Sequence, residues 1–213
     1  MNLYTHFTLK EREMLKHFLD IGKNQTESST LFGRNKSSIW REIRRNSQNG
    51  EYIPWGSDFT YVKVNGIFHY LCVVMDLFSR KIIGWSISNR HDVDLTMKAF
   101  ENAYFDRGEP EYVLFHSDRG SKYTALTFRQ MLERCNVVQS FSQKGYPYDN
   151  ACMESFFHHM KRECINRKSF RNQDELRLCC FEYINRYNSK RPHSSLGDYT
   201  PDEIEQFYME RQE

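Results

Sequence analysis

Two runs rich in β-branched and aromatic residues, Ser57 to Val64 and Ile67 to Met75, are separated only by Asn65-Gly66. That dipeptide is the strongest short-range hairpin signal, because a tight hairpin turn needs positive φ at both central positions. The two runs are therefore expected to pair antiparallel, with Val64 opposite Ile67 and Asp58 opposite Val73. Further along, Lys81 to Ser88 reads as a third strand, Val93 to Phe105 as an amphipathic helix, Tyr112 to Phe115 as a short apolar strand and Thr124 to Arg134 as another helix. Strands first and alternation afterwards predict an α/β unit, a mixed sheet with helices packed on it and a crossover to a buried strand.

The first fifty residues follow a different pattern. Thr8-Leu9-Lys10-Glu11 is a capping box, and Leu9, Met14, Leu15, Phe18 and Leu19 recur at helical spacing until Gly22. A second short helix fits Thr26 to Phe32, ended by Gly33, and Asn35 caps a third that runs to Asn46. Three short helices with a glycine turn fit a helix-turn-helix. Between Arg34 and Asn46 stand five basic residues against one acid, whereas the whole chain carries only +2, with 30 basic and 28 acidic residues. The charge that would meet DNA is thus local. Lys36, Ser37, Ser38 and Arg41 are candidate base readers, and Arg44 and Arg45 candidate phosphate contacts. The plainer alternative is a solvated basic face on a small helical bundle. Gly50, Pro54 and Gly56 punctuate a polar linker, which divides the chain into residues 1–46, a linker at 47–56 and a core at 57–213.

Within the core, three acids stand out by position. Asp58 lies on the first strand. Asp118, in HSDRG, follows the strand ending near His116, where an open α/β sheet presents ligands. Glu154 lies on a helix expected from Asp149 to Arg167, beside the apolar stripe Met153, Phe157, Met160 and Cys164. With His158 and Lys161 it forms a second stripe on the flank of that buried face. Taken singly, Asp118 reads as a turn residue and Glu154 as a surface acid; their order along the chain sets them apart. Asp76 is the rival carboxylate, but hairpin parity turns it to the opposite face from Asp58, which leaves it as a turn or capping residue.

WGSDFTYV, YLCVVMDLFSRKIIGWSIS, HSDRGSKYT, SQKGYPYDNACMESFFHHMKRE and YNSKRPHSSLGDYTP stand in sequence between residues 55 and 201. One after another they resemble the catalytic part of bacterial insertion-sequence transposases of the retroviral-integrase, or Asp-Asp-Glu, superfamily. GRNKSSIWREIRRN similarly resembles the helix-turn-helix that some transposases carry at their N-terminus. The resemblance implies an RNase-H-like fold and metal-dependent cleavage and joining of DNA at the element's ends. It also implies Asp58, Asp118 and Glu154 as catalytic and metal-holding residues for two Mg²⁺ or Mn²⁺ ions, with Asp58 bridging. Lys144, His158 and Lys161 would then grip phosphates of the DNA. The partners implied are double-stranded DNA, both transposon ends and target, and further copies of the chain in a synaptic complex.

The competing readings are a DNA-binding regulator or truncated transposase whose core is inert, and an RNase-H-like nuclease without strand transfer. The linker of about ten residues is shorter than such transposases usually carry, which keeps the first in play. Between Ser189 and Ser195, Lys190, Arg191 and His193 either touch DNA or close the core. The six cysteines, Cys72, Cys135, Cys152, Cys164, Cys179 and Cys180, show no CxxC spacing and read as reduced core residues. No apolar run approaches the ~20 residues of a membrane span, and MNLYTHFTLKERE lacks a secretory signal. A cytosolic, nucleoid-associated protein is expected.

Overall fold

The computed structural model describes residues 9–39, 54–110, 113–142 and 151–210. Its centre is a five-stranded mixed sheet of order β3-β2-β1-β4-β5. The strands are β1 (Pro54–Val64), β2 (Ile67–Asp76), β3 (Ile82–Ser88), β4 (Val113–Ser117) and β5 (Val137–Phe141). β1 pairs antiparallel with β2 over ten residue pairs in unbroken register, from Trp55↔Asp76 to Val64↔Ile67. Asn65 and Gly66 both take positive φ, 44° and 85°, so the hairpin is the one expected. β3 continues the antiparallel side, while β4 and β5 are parallel to β1.

Two departures come from pairing partners far away in sequence. β1 begins at Pro54, inside the expected linker, and Pro54, Trp55 and Gly56 are the residues that pair with β4. Proline is tolerated as the first residue of a strand. β5 had no strong local signal: it is five residues long and follows Asn136, which turns the chain at φ 54°.

Strand alternation divides the core into two layers. On one face Val62, Val64, Leu71, Val73 and Met75 meet α6 (Ala151–Glu163) and α7 (Gln173–Ser189). On the other, Trp55, Cys72, Val74, Val113 and Phe115 meet α4 (Val93–Asp106) and α5 (Leu126–Arg134). Phe100 of α4 sits between Trp55, Phe115 and Phe128, with ring centroids 5.6 to 6.2 Å away. α7 extends one residue past Asn188, whose amide both accepts from Ile82 N and donates to Ile82 O at 2.9 Å. That side chain occupies backbone groups of edge strand β3. α8 (Pro201–Met209) is tied to the β2–β3 turn by Lys81, which pairs with Asp202 and Glu205 at 2.9 and 3.0 Å.

The loop from Ser189 to Ser195 closes the core instead of offering all its cations to DNA. His193 is buried and stacks edge-on against Tyr187, and Arg191 pairs with Glu163 at 3.0 Å. Arg186 holds the same carboxylate at 2.8 Å, joining α6 to α7. Burial pushes the Glu163 carboxyl up, but Arg191 and Arg186 outweigh it and hold it below the usual carboxylate range. Such a group stabilises the fold above its unfolded pKa and loses that contribution as pH falls through the folded one. Glu163→Gln is therefore expected to cost about 1 kcal/mol at pH 7. The deficit should shrink below about pH 4.3, as urea midpoints across pH 3 to 7 would check. Nearby, Cys164 and Cys179 form a disulfide, where the sequence reads both as reduced. The packing of α7 against the end of α6 brings together thiols that local spacing gave no reason to pair.

In the N-terminal region α1 (Leu9–Asp20) and α2 (Gln25–Phe32) pack through Leu15, Leu19 and Phe32 on Ile39. α2 starts one residue before the expected Thr26. Asn24 caps it, accepting from Thr26 N and Glu27 N while Glu27 accepts from Asn24 N. Gly33 ends α2 in the left-handed region. α3 is described over residues 36–39, with Ser37 N donating to Asn35 Oδ1 at 2.9 Å. Arg34, part of the basic run, is engaged bidentately by Glu11 at 2.6 and 2.9 Å. Among the described residues no helix is long and apolar enough to cross a membrane.

Candidate active site

The β1–β4 ladder carries the argument for a site. Its pairs are Pro54↔Leu114, Trp55↔Phe115 and Gly56↔His116. Continuing that register two residues brings Asp58 level with Asp118, on neighbouring strands that lie roughly 4.8 Å apart. Asp58 opposes Val73 and so lies on the α6 side of the sheet. Its Oδ1 accepts from Phe59 N at 2.7 Å. Asp118 is exposed just past β4, and its Oδ1 accepts from Gly120 N at 2.8 Å. A Cβ at residue 120 would sit 2.8 Å from that same oxygen, so glycine is what allows the turn to close on the carboxylate.

Two contacts fix the direction of α6. Near its start Cys152 Sγ meets the guanidinium of Arg80, on the β2–β3 turn beyond the end of β2. Near its end Lys161 Nζ lies 5.0 Å from the Tyr61 ring centroid. Because the end of β2 pairs with the start of β1, α6 runs in the same sense as β1. Glu154 is two helical turns before Lys161 on one stripe, about 10 Å back. Asp58 is three strand residues before Tyr61, also about 10 Å back. By that count Glu154, which is exposed, falls at roughly the same height along β1 as Asp58. Met153, Phe156, Phe157 and Met160 are buried, as the apolar stripe requires.

Asp76 is excluded from this group. It opposes Trp55, on the other face, and the irregularity in β2 falls against β3, leaving the β1–β2 register intact. Its Oδ1 accepts from Phe78 N and Ser79 N at 2.9 and 3.2 Å, and its Oδ2 faces Arg107 at 3.5 Å. Burial raises its pKa, against the pull of Arg107.

Beneath the aspartates lies a buried polar contact that sequence inspection did not single out. Ser57 Oγ is 2.9 Å from Tyr123 OH and 3.6 Å from Cys72 Sγ. Burial, with the nearby Cys72, raises the Tyr123 pKa well above its ordinary value, so the hydroxyl keeps its proton. Asp58 and Asp118 both act on that same hydroxyl, which places it within electrostatic reach of both. His91 stacks on Tyr70 and meets Phe59 edge-on, and Asp118 and Lys122 both act on its ring.

Of the other candidates, His158 is exposed beside His159, Lys36 and Ser37 are exposed, and Ser38 is half-buried. Arg41, Arg44, Arg45 and Lys144 lie outside the described residues. Among the described residues no three His, Cys, Asp or Glu side chains already converge on one ion position. The donor set here still fits a hard divalent cation, since it consists of carboxylate oxygens, Asp58 within β1 and Asp118 just past the end of neighbouring β4. A carboxylate offers about four acceptor positions, so accepting one backbone N–H on Oδ1, as Asp58 and Asp118 each do, is compatible with holding an ion.

An integrase core domain model matches residues 49–147, and a second matches residues 136–201. The chain is 41% identical over 158 residues to the Escherichia coli K12 transposase InsF of insertion sequence IS3A, covering 74% of this chain and 55% of that protein. It is 39% identical to the transposase of IS904 from Lactococcus lactis, covering 72% of this chain and 61% of that one. The chain thus spans little more than half the length of the curated relatives it matches. Among solved structures, the magnesium-bound HTLV-2 integrase catalytic core superposes with TM-score 0.55 at 18% identity, over 71% of this chain and 94% of that one. A chain of the simian T-cell lymphotropic virus intasome in complex with PP2A regulatory subunit B56 gamma superposes with TM-score 0.58 at 13% identity, over 91% of this chain and 73% of that one. These two likenesses show the fold, RNase-H-like, as the sequence motifs implied. With the order of its motifs, its sheet and these relatives in agreement, the chain belongs to the insertion-sequence transposases of the retroviral-integrase superfamily.

Proposed function

We propose that this chain is a metal-dependent transposase that cleaves DNA at insertion-sequence ends and joins the freed strand to a target. The single observation that carries the reading is the β1–β4 register, which supports Asp58 and Asp118 acting together. Glu154 joins them from α6. Asp58, Asp118 and Glu154 would together hold the Mg²⁺ or Mn²⁺ ions, two to a site. When bound, such a pair would activate the attacking oxygen and stabilise the leaving one. Three carboxylates left without a cation repel one another, so full assembly waits for metal and DNA phosphate together.

Lys161, on the Glu154 stripe, is half-buried and holds its ammonium over the ring of exposed Tyr61, where a phosphate could reach it. His158 and Lys144 would extend that grip. Residues 1–46 would act as a helix-turn-helix, with Lys36, Ser37, Ser38 and Arg41 as base readers and Arg44 and Arg45 as phosphate contacts. The partners are double-stranded DNA and further copies of the chain, since two ends must be held in one synaptic complex; the simian viral neighbour is itself an intasome.

The decisive assay incubates the full chain with labelled terminal DNA of its element and Mg²⁺ or Mn²⁺, beside Glu154→Gln. Metal-dependent nicking and joining should be present in the wild type and absent from the variant. Equal DNA binding by both, with no cleavage by either, would establish the DNA-binding regulator instead. Replacing Arg41 and Arg44 together by Ala should weaken DNA binding and reduce its salt slope by roughly 1 to 2. An unchanged affinity and slope would remove the recognition-helix assignment.

A further inference from the structure

We infer that Ser57 and Tyr123 form a positioning brace that sets the separation of Asp58 and Asp118. The inference rests on the proposed carboxylate site and assigns its geometry to residues that touch neither metal nor DNA.

The ladder between β1 and β4 ends at Gly56↔His116, two residues short of the aspartates. Beyond it the chain after Asp118 leaves the sheet to form a turn, so the ladder brings the two aspartates level but no ladder pair at the aspartates themselves holds their separation. The Ser57–Tyr123 contact spans that gap. Ser57 is joined covalently to Asp58. Tyr123 N donates to Gly120 O at 3.1 Å, and Gly120 N donates to Asp118 Oδ1 at 2.8 Å. The path from one aspartate to the other therefore runs through one side-chain hydrogen bond, one backbone hydrogen bond and one carboxylate hydrogen bond.

The surroundings make the brace stiff. Ser57 and Tyr123 are each 1% exposed, so no water competes for their hydrogen bond. The Tyr123 ring lies among Phe59, Phe115 and Phe128, with centroids 5.2, 6.1 and 6.0 Å away. Gln139 of β5 donates Nε2–H to Tyr123 O at 2.7 Å, fixing the tyrosine backbone to the sheet. A phenylalanine at residue 123 would fill the same space yet carry no hydroxyl. That substitution would keep the ring contact with Phe59 and remove only the hydrogen bond to Ser57. Metal-holding side chains need placement to within about 0.5 Å, and a partner behind the ligands typically changes metal affinity by about 10- to 100-fold.

The test compares the full-length wild type with Tyr123→Phe, Ser57→Ala and the double variant, reading Mn²⁺ binding by electron paramagnetic resonance titration with terminal DNA present. Urea unfolding in EDTA is measured alongside. Each single variant should weaken Mn²⁺ about tenfold, and the double variant no more than the worse single one, because both cut the same link. Leu132→Ala, which loosens the same core layer at a residue outside the rings packed on Tyr123, should lower the urea midpoint and leave Mn²⁺ affinity unchanged. Unaltered Mn²⁺ affinity in both single variants would overturn the brace. So would a loss that merely tracks the urea midpoint across all four variants. Asp58→Asn separates the two levels of the argument: it should abolish Mn²⁺ binding, and its failure to do so would refute the carboxylate site itself.

Discussion

Asp58→Asn is expected to slow strand cleavage and joining by on the order of a thousandfold or more, equivalent to about 4 kcal/mol of transition-state stabilisation. Asparagine keeps the size and one oxygen but removes the charge that a divalent cation needs. The informative comparison is Asp76→Asn. Both acids lie on the same hairpin, yet Asp76 opposes Trp55 on the far face and accepts from Phe78 N and Ser79 N. Its amide should cost about 1 to 3 kcal/mol of stability through a weakened buried network. Cleavage well below the melting temperature should persist. The two variants thus separate by readout, one in chemistry and one in urea midpoint. If instead Asp76→Asn were inactive while still folded, and Asp58→Asn active, the face assignment from hairpin parity would be wrong.

The largest effect on folding is expected at Gly84. A Cβ there would lie 2.5 Å from Ala99 O and 2.6 Å from both Ala103 Cβ and Ala103 N. Those atoms belong to the body of α4, which cannot tilt away, because Phe100 is wedged between Trp55 and Phe115 and Asn102 donates to Trp85 O at 2.9 Å. Gly84→Val should destabilise the core by about 3 kcal/mol or more, a large share of the ~5 to 15 kcal/mol that holds a domain folded. Urea unfolding followed by circular dichroism would show it. A midpoint unchanged from wild type would mean that α4 sits farther from β3 than these distances indicate.

Much of the core was legible in sequence because its signals are local. Asn65-Gly66 sets a turn whose geometry depends on two residues, and the alternation of β1 and β2 then assigns faces. The stripe Met153, Phe157, Met160 and Cys164 orients α6, and Asp118 follows an apolar run that ends where a parallel strand ends. Other features had no local signal. β5 is five residues, too short for a period to emerge. Arg191 and His193 look like any basic loop until α6 and α7 bring Glu163 and Tyr187 beside them. Asn188 reads as a helix end, yet it serves the edge of β3.

The carboxylates mark the boundary between the two kinds of information. By itself the sequence determined which acids are candidates, their order, and the hairpin parity that sets Asp58 against Asp76, since each follows from spacing along one segment. Only the tertiary structure decided that Asp58 and Asp118 stand level. That depends on Pro54 to Gly56 pairing with residues sixty positions away, and no local pattern encodes the register of a parallel ladder. The same holds for Ser57 and Tyr123, an ordinary serine and an ordinary tyrosine until the parallel crossover buries them against each other.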